Sequence, residues 1–326
     1  MKKTILAMAV PALMVAGAAN AGVDLYDADG VNVSASGAME VQYNKSTNDK
    51  SKAQVRLDDG DLALNTSVEI SDSLKAVGEM AFKFEKEDVQ NDRLYVGLSG
   101  DFGTFTVGRQ ATILDDAGVG KDIEAGGGLD LGERTDLYGD QVVKYTFDND
   151  MFYAGIAADL VEDGKDGADE DKYMDGRIGA RFEGLDARVY FADGEIQKYT
   201  DKDGVEVPKT DVRVIVLEAE YALDDIGIAA GYGQAELKTS GGKVKAKLLQ
   251  LAADYSMNDT TFAVGVDRVD FDKGDAEQTS IYANVTQQLH SNVKVYAEVG
   301  NADEKDKDGK DVDTELGYTV GMEVKF

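Results

Sequence analysis

The sequence predicts an all-β chain, a 16-stranded antiparallel transmembrane β-barrel with an inward-folded third outer loop. Three observations carry this. Segments of ten or so residues alternate apolar and polar side chains, their connections are alternately short and long, and the last segment ends on an aromatic residue, Phe326. Alternation with period two is the mark of a strand with one apolar and one polar face. Short turns on one side and long loops on the other are the connectivity of a membrane barrel.

The first segment is not part of that pattern. Met1-Lys2-Lys3, an apolar run over 5–15 and the exit Ala19-Asn20-Ala21 together describe a secretory signal peptide at 1–21, leaving a single barrel at 22–326. No later apolar run approaches the ~18 residues a spanning helix needs. A closed barrel needs none, because its backbone groups are satisfied between strands.

Sixteen candidate strands follow, at 31–43, 54–71, 73–86, 91–99, 103–110, 139–148, 151–161, 173–183, 185–194, 211–223, 226–237, 244–256, 259–271, 278–290, 292–302 and 313–326. Leu62, Leu64, Thr66, Val68 and Ile70 share one face, with Asp61, Ala63, Asn65, Ser67 and Glu69 on the other. Tight turns fall at Ser71-Asp72, Gly100-Asp101, Glu183-Gly184, Asp224-Asp225, Asn258-Asp259 and Ser291-Asn292, and at 148–150; seven short turns alternate with eight longer polar loops. In the strand over 244–256 the alternation changes phase near Leu248-Leu249, which predicts a bulge there.

The formal charge is −29, and loss of Lys2 and Lys3 with the leader takes it to −31. That balance argues against nucleic acid, which needs basic patches, and favours attraction of cations. The chain has no cysteine, so its stability rests on strand pairing and burial, and thiolate chemistry is excluded. Its one histidine, His290, falls beside a predicted turn with no nucleophile or acid patterned around it, so no enzyme activity is expected. Three Asp-x-Asp-Gly quartets, at 27–30, 201–204 and 306–309, echo calcium loops without the glutamate that completes them. Asp and Gly are also turn residues. No cofactor and no metal site is therefore expected, beyond weak bridging of divalent ions among acidic outer loops.

The stretch over 103–140 breaks the pattern. A strand at 103–110 is followed by nearly thirty residues containing Asp115, Asp116, Asp122, Glu124, three glycines and Asp130. A structureless loop of that length in a compact domain usually has a function. The reading is a constriction loop, about 111–138, folded into the lumen.

From Arg93 to Arg109 the chain reads RLYVGLSGDFGTFTVGR, which resembles the fourth and fifth strands of the general porins of Gram-negative outer membranes. Ile-Glu-Ala-Gly-Gly at 123–127 resembles the Pro-Glu-Phe-Gly-Gly tip of that family's constriction loop, without its proline and with Ala125 for phenylalanine. With the leader, the strands and Phe326, the resemblance spans the chain. It implies a water-filled channel in the outer membrane, a homotrimer surrounded by lipid and lipopolysaccharide, passing small hydrophilic solutes. It further implies that Phe326 is an assembly signal, that Glu124 is the constriction glutamate and that Arg109 belongs to the basic cluster on the opposite wall.

Elsewhere that cluster is depleted. Asp61 stands where the family has a strand-two arginine, Gly37 where it has a strand-one lysine, and Thr146 where an arginine follows the loop. Fewer basic groups make the lumen more negative, so the expectation is a cation-selective passive channel. Its constriction is assigned to Arg109 and Glu124, with Asp61, Asp115, Asp116 and Asp122 added from charge and position. Neutralising Glu124 should then lower cation preference more than neutralising Asp169 in an outer loop. The alternatives are a substrate-specific outer-membrane channel, an outer-membrane hydrolase, and a secreted acidic β protein binding calcium or a partner.

Overall fold

The computed structural model describes residues 22–85, 88–126, 137–160, 172–196, 199–200, 206–207, 209–274 and 276–326. Sixteen antiparallel strands form its wall: β1 (Val31–Lys45), β2 (Gln54–Ser71), β3 (Leu74–Lys83), β4 (Gln90–Gly100), β5 (Gly103–Ala111), β6 (Tyr138–Asp148), β7 (Phe152–Asp159) and β8 (Lys172–Phe182) make the first half. The second half is β9 (Leu185–Ile196), β10 (Thr210–Leu223), β11 (Ile226–Thr239), β12 (Gly242–Met257), β13 (Thr260–Phe271), β14 (Glu277–His290), β15 (Val293–Lys305) and β16 (Gly317–Lys325). Each strand pairs with its sequence neighbours, and β16 pairs with both β15 and β1. The sheet therefore closes and leaves no long edge.

Closure is completed at the last residue. Gly37 and Phe326 exchange backbone hydrogen bonds of 2.9 and 3.0 Å, and the Phe326 ring lies against Gly37, where a Cβ would come within 2.7 Å of it. Gly37 thus sits on the outer face beneath an aromatic ring, not on the pore wall where the family resemblance placed it. Below this point β1 gains a further partner that the periodicity did not reveal, a short strand Val23–Ala28.

The two faces separate as the alternation predicts. Val96, Ile178 and Ile281 are 68, 66 and 61 % exposed on the outer face, where lipid takes the place of water. The inner face carries Glu40, Gln42, Arg177, Arg188, Glu218 and Glu298. At the tight ends, Asp150, Glu183, Asp224 and Asn258 adopt positive φ, the conformation that two-residue hairpin turns need to match strand twist.

Two further expectations are corrected. β12 pairs without interruption to β11 and β13 through Leu248 and Leu249, so no bulge lies there. Its phase is blurred because Leu248 faces an apolar patch inside the barrel while Leu249 faces lipid. Register shifts occur instead at Met39/Val41 against β2 and at Gly108/Gln110 against β6. One outer connection, Ser240-Gly241, is as tight as the inner ones, because β11 and β12 pair as far as Thr239 and Gly242.

Candidate functional site

Between β5 and β6 the chain leaves the sheet, with Thr112 N–H donating to Leu137 O (2.8 Å) at the base of the excursion. A segment without a partner strand must find acceptors for its N–H groups elsewhere. Inward side chains of the wall supply them in succession. Asp175 on β8 accepts from Ile113 and Leu114 (3.0 and 2.8 Å), and Glu218 on β10 accepts from Gly118 (2.6 Å). Tyr282 on β14 accepts from Lys121 (2.7 Å), and Glu298 on β15 accepts from Ile123, Glu124 and Ala125 (2.6, 2.6 and 2.8 Å). The described part of the loop, through Gly126, therefore runs along the inner wall from β8 to β15.

Apolar packing fixes the same path. Ile113 and Leu114 are buried among Val142, Tyr173, Tyr190 and Val214, and Val119 is buried against Ala229 and Ala252. The covered wall explains why β10 is apolar on both faces over 214–217: Val214 and Val216 face the barrel interior, Ile215 and Leu217 the lipid. Such a doubly apolar strand was a readable signal of an interior element lying on it.

Ion pairs reinforce the base of the loop. Arg177 Nη1 donates to Asp116 at 2.7 Å, and the Tyr190 hydroxyl donates to Asp116 O at 3.1 Å. Arg188 and Glu218 both have fully buried side chains, 0 % exposed, and meet at 2.6 Å; Arg188 also reaches Glu220 (2.8 Å), which holds Lys121 of the loop (3.0 Å).

The predicted site residues separate into distinct roles. Glu124 accepts from Gln42 Nε2 of β1 at 3.0 Å and from Arg56 Nη2 of β2, so the loop tip is tied to the wall next to the barrel seam. Burial raises its carboxyl above the ordinary range, against the opposing pull of Gln42 and Arg56. Asp116 is engaged by Arg177, as above. Asp122 turns back onto the loop and accepts from the Gly126 N–H; burial raises it as well. Asp115 projects from the 3-10 turn Leu114–Asp116 and is exposed. Asp61 lies on the inner face of β2 with Ala38 and Lys83 as register partners. Asp169, Gly127 and the Asp-x-Asp-Gly quartet at 201–204 lie outside the described residues.

Arg109 is a correction. It pairs in register with Leu94, which is 53 % exposed on the outer face, and cross-strand partners share a face. Its guanidinium bonds Asp140 rather than Glu124. The inward arginine of the same motif is Arg93, 2.8 Å from Glu79. Arg56, Lys83, Arg93 and Lys144, none assigned to the constriction by the sequence, join Arg177, Arg188 and the loop's Lys121 among the basic groups around the described lumen.

The remaining motifs are structural. His290 sits at the β14–β15 turn, where Nδ1 accepts from Asn292 N–H at 3.2 Å. Asp29 and Gly30 form a positive-φ turn, and Asp306 caps the N–H groups of Asp308 and Lys310.

A closed barrel with an apolar outer face, a charged interior and a loop laid along its inner wall defines a transmembrane channel. The family model for Gram-negative porins matches residues 6–307, and the chain belongs to that family. It is 48 % identical to Porin-like protein H of Photobacterium profundum, over all of both chains. Among solved structures it resembles a loop L8 deletion mutant of OmpT, an outer membrane protein of Vibrio cholerae (TM-score 0.79, 22 % identity, 91 % of this chain and all of that one). A trimer form of OmpT gives TM-score 0.76 at 21 % identity, with 91 % of this chain and all of that one covered. An anion-selective porin from Comamonas acidovorans gives 0.73 at 18 % identity, again with 91 % of this chain and all of that one covered. The protein is an outer-membrane porin of a Gram-negative cell.

Proposed function

We propose that this porin is a passive diffusion channel for small hydrophilic solutes and ions, with preference for cations. The observation that carries the preference is the excess of carboxylates over bases on the described inner wall. Glu40, Asp59 and Glu323 cluster on β1, β2 and β16, and Asp61 and Asp115 add further negative charge. Fixed charge lining a pore enriches counter-ions there. On this reading side chains set the sign of selectivity, since a porin described as anion-selective shares the fold. The loop that leaves the sheet after β5, described through Gly126, narrows the lumen, and Glu124, Asp61, Asp115, Asp116 and Asp122 belong to that constriction, Asp116 and Asp122 as structural supports.

Residues 1–21 act as the signal peptide, Phe326 as the assembly signal, and the mature chain forms a homotrimer surrounded by outer-membrane lipid and lipopolysaccharide. The trimer form of the Vibrio cholerae relative supports the oligomeric state. Planar-bilayer recording in a KCl gradient tests the function: stepwise currents with a reversal potential of cationic sign are expected. Chloride preference would overturn the selectivity, and an absence of current steps would overturn the channel.

A further inference from the structure

Around the lumen, some charges are matched closely and others are not. Glu124 is enclosed by Gln42 and Arg56, Asp116 by Arg177, and Asp122 by the loop backbone. Asp115 makes no hydrogen bond or short ion pair among the described residues, and the basic groups within its electrostatic reach are Lys144 and Lys83. Lys144 donates to Ala111 O at 2.8 Å. Lys83 is open to the lumen, 43 % exposed. It ends β3 on the inner face, opposite Asp61 in register, with Asp92 at 3.3 Å. Asp92 is shared with Arg93 at 3.4 Å, and one Asp61 carboxylate oxygen has no hydrogen-bond partner.

We propose that Lys83 is a specificity-determining residue of the pore, the basic group set among Asp61, Asp92 and Asp115 that fixes how strongly the channel prefers cations. The proposal rests on the diffusion-channel reading above. The loop tip, tied to the wall through Glu124 and Arg56, is then mainly a support, and passing ions sense the row on β2 to β4 together with Asp115. A unit charge about 8 Å from an ion's path through water changes the local ion concentration about twofold.

The test is reversal potential in asymmetric KCl, with the full barrel folded in detergent and placed in planar bilayers. Lys83→Gln should raise the cation-to-anion permeability ratio at least about twofold, Lys83→Arg should retain the wild-type ratio, and Asp61→Asn should lower it. Glu124→Gln should move it less than Asp61→Asn does. A wild-type channel whose ratio is unchanged by both Lys83→Gln and Asp61→Asn overturns the inference and leaves the diffusion reading standing. A ratio moved by Glu124→Gln alone does the same. A barrel that opens no channels overturns both.

Discussion

Ala125 at the loop tip rests on Gly300 of β15, where a Cβ would stand 2.2 Å from the Ala125 Cβ. The wall is bare at this point so that the loop can lie against it. Gly155 serves the other end, where a Cβ would come within 2.6 Å of Ile113 Cδ1. Gly300→Val should lift the tip while β15 stays paired. Single-channel conductance and liposome-swelling rates for mid-sized sugars should both change, with the heat-modifiable band of the folded barrel retained. Unchanged conductance in a folded variant would show that the tip does not bound the pore.

Glu298 holds the same tip by its carboxylate, which accepts three successive N–H groups and a fourth donor, Asn284 Nδ2, at 3.1 Å. Hydrogen bonds to a charged group are worth about 1.5–3 kcal/mol each. Glu298→Ala should therefore release the tip and produce noisier current, and Glu298→Gln, which still accepts, should give a smaller effect. Protease sensitivity near Ile123 offers an independent readout. Equal behaviour of the two variants would count against this role.

Arg188 and Glu218 form a pair with no exposed side-chain surface. Breaking a buried pair leaves a charge without compensation, at a cost of about 3–5 kcal/mol. Glu218→Ala should lower the guanidinium midpoint of the detergent-solubilised barrel accordingly. Glu315→Ala, which breaks the outer-loop pair with Lys45 (2.5 Å, Glu315 56 % exposed), should cost under ~1 kcal/mol. Comparable losses in the two variants would contradict the difference in burial.

The raised Glu124 carboxyl gives a pH dependence with a definite sign. Its proton returns as pH falls from above the ordinary glutamate value of about 4.3, discharging the group and weakening its bond to Arg56. Cation preference should decline in that window, partly through Glu124, and the Glu124 component should be missing in Glu124→Gln. Asp58 accepts from Gln42 and Arg56 at 2.6 and 2.5 Å beside it and keeps the Arg56 site partly occupied. Identical pH profiles for wild type and Glu124→Gln would remove the assignment.

Strand order and most strand ends were legible because alternation is a local property, and lipid and lumen impose it on every segment. Which charged residue faced the lumen was less legible, and Arg56 shows why. Arg56 and Asp58 face inward at even positions, whereas Asp61 and Ala63 face inward at odd ones, with the β1–β2 register shift between them. A single bulge inverts the phase, and nothing in the run of residues marks it. Arg109 illustrates the complementary error. It lies in a motif whose other arginine, Arg93, faces inward, but its register with Leu94 puts it outside. The strand Val23–Ala28 was missed for another reason: six residues with two aspartates carry too little alternation to stand out.

The sequence by itself determined that this chain closes as sixteen strands and carries one overlong acidic excursion after β5. Period two, turn chemistry and charge are written residue by residue. Only the tertiary structure decided which charges meet. Glu124 with Arg56, Asp116 with Arg177, and Glu298 with the loop tip are contacts across 68, 61 and at least 173 residues of chain. They exist because closing the barrel brings β15, β1 and β2 together, and because N–H groups with no strand beside them bind the carboxylates of the wall.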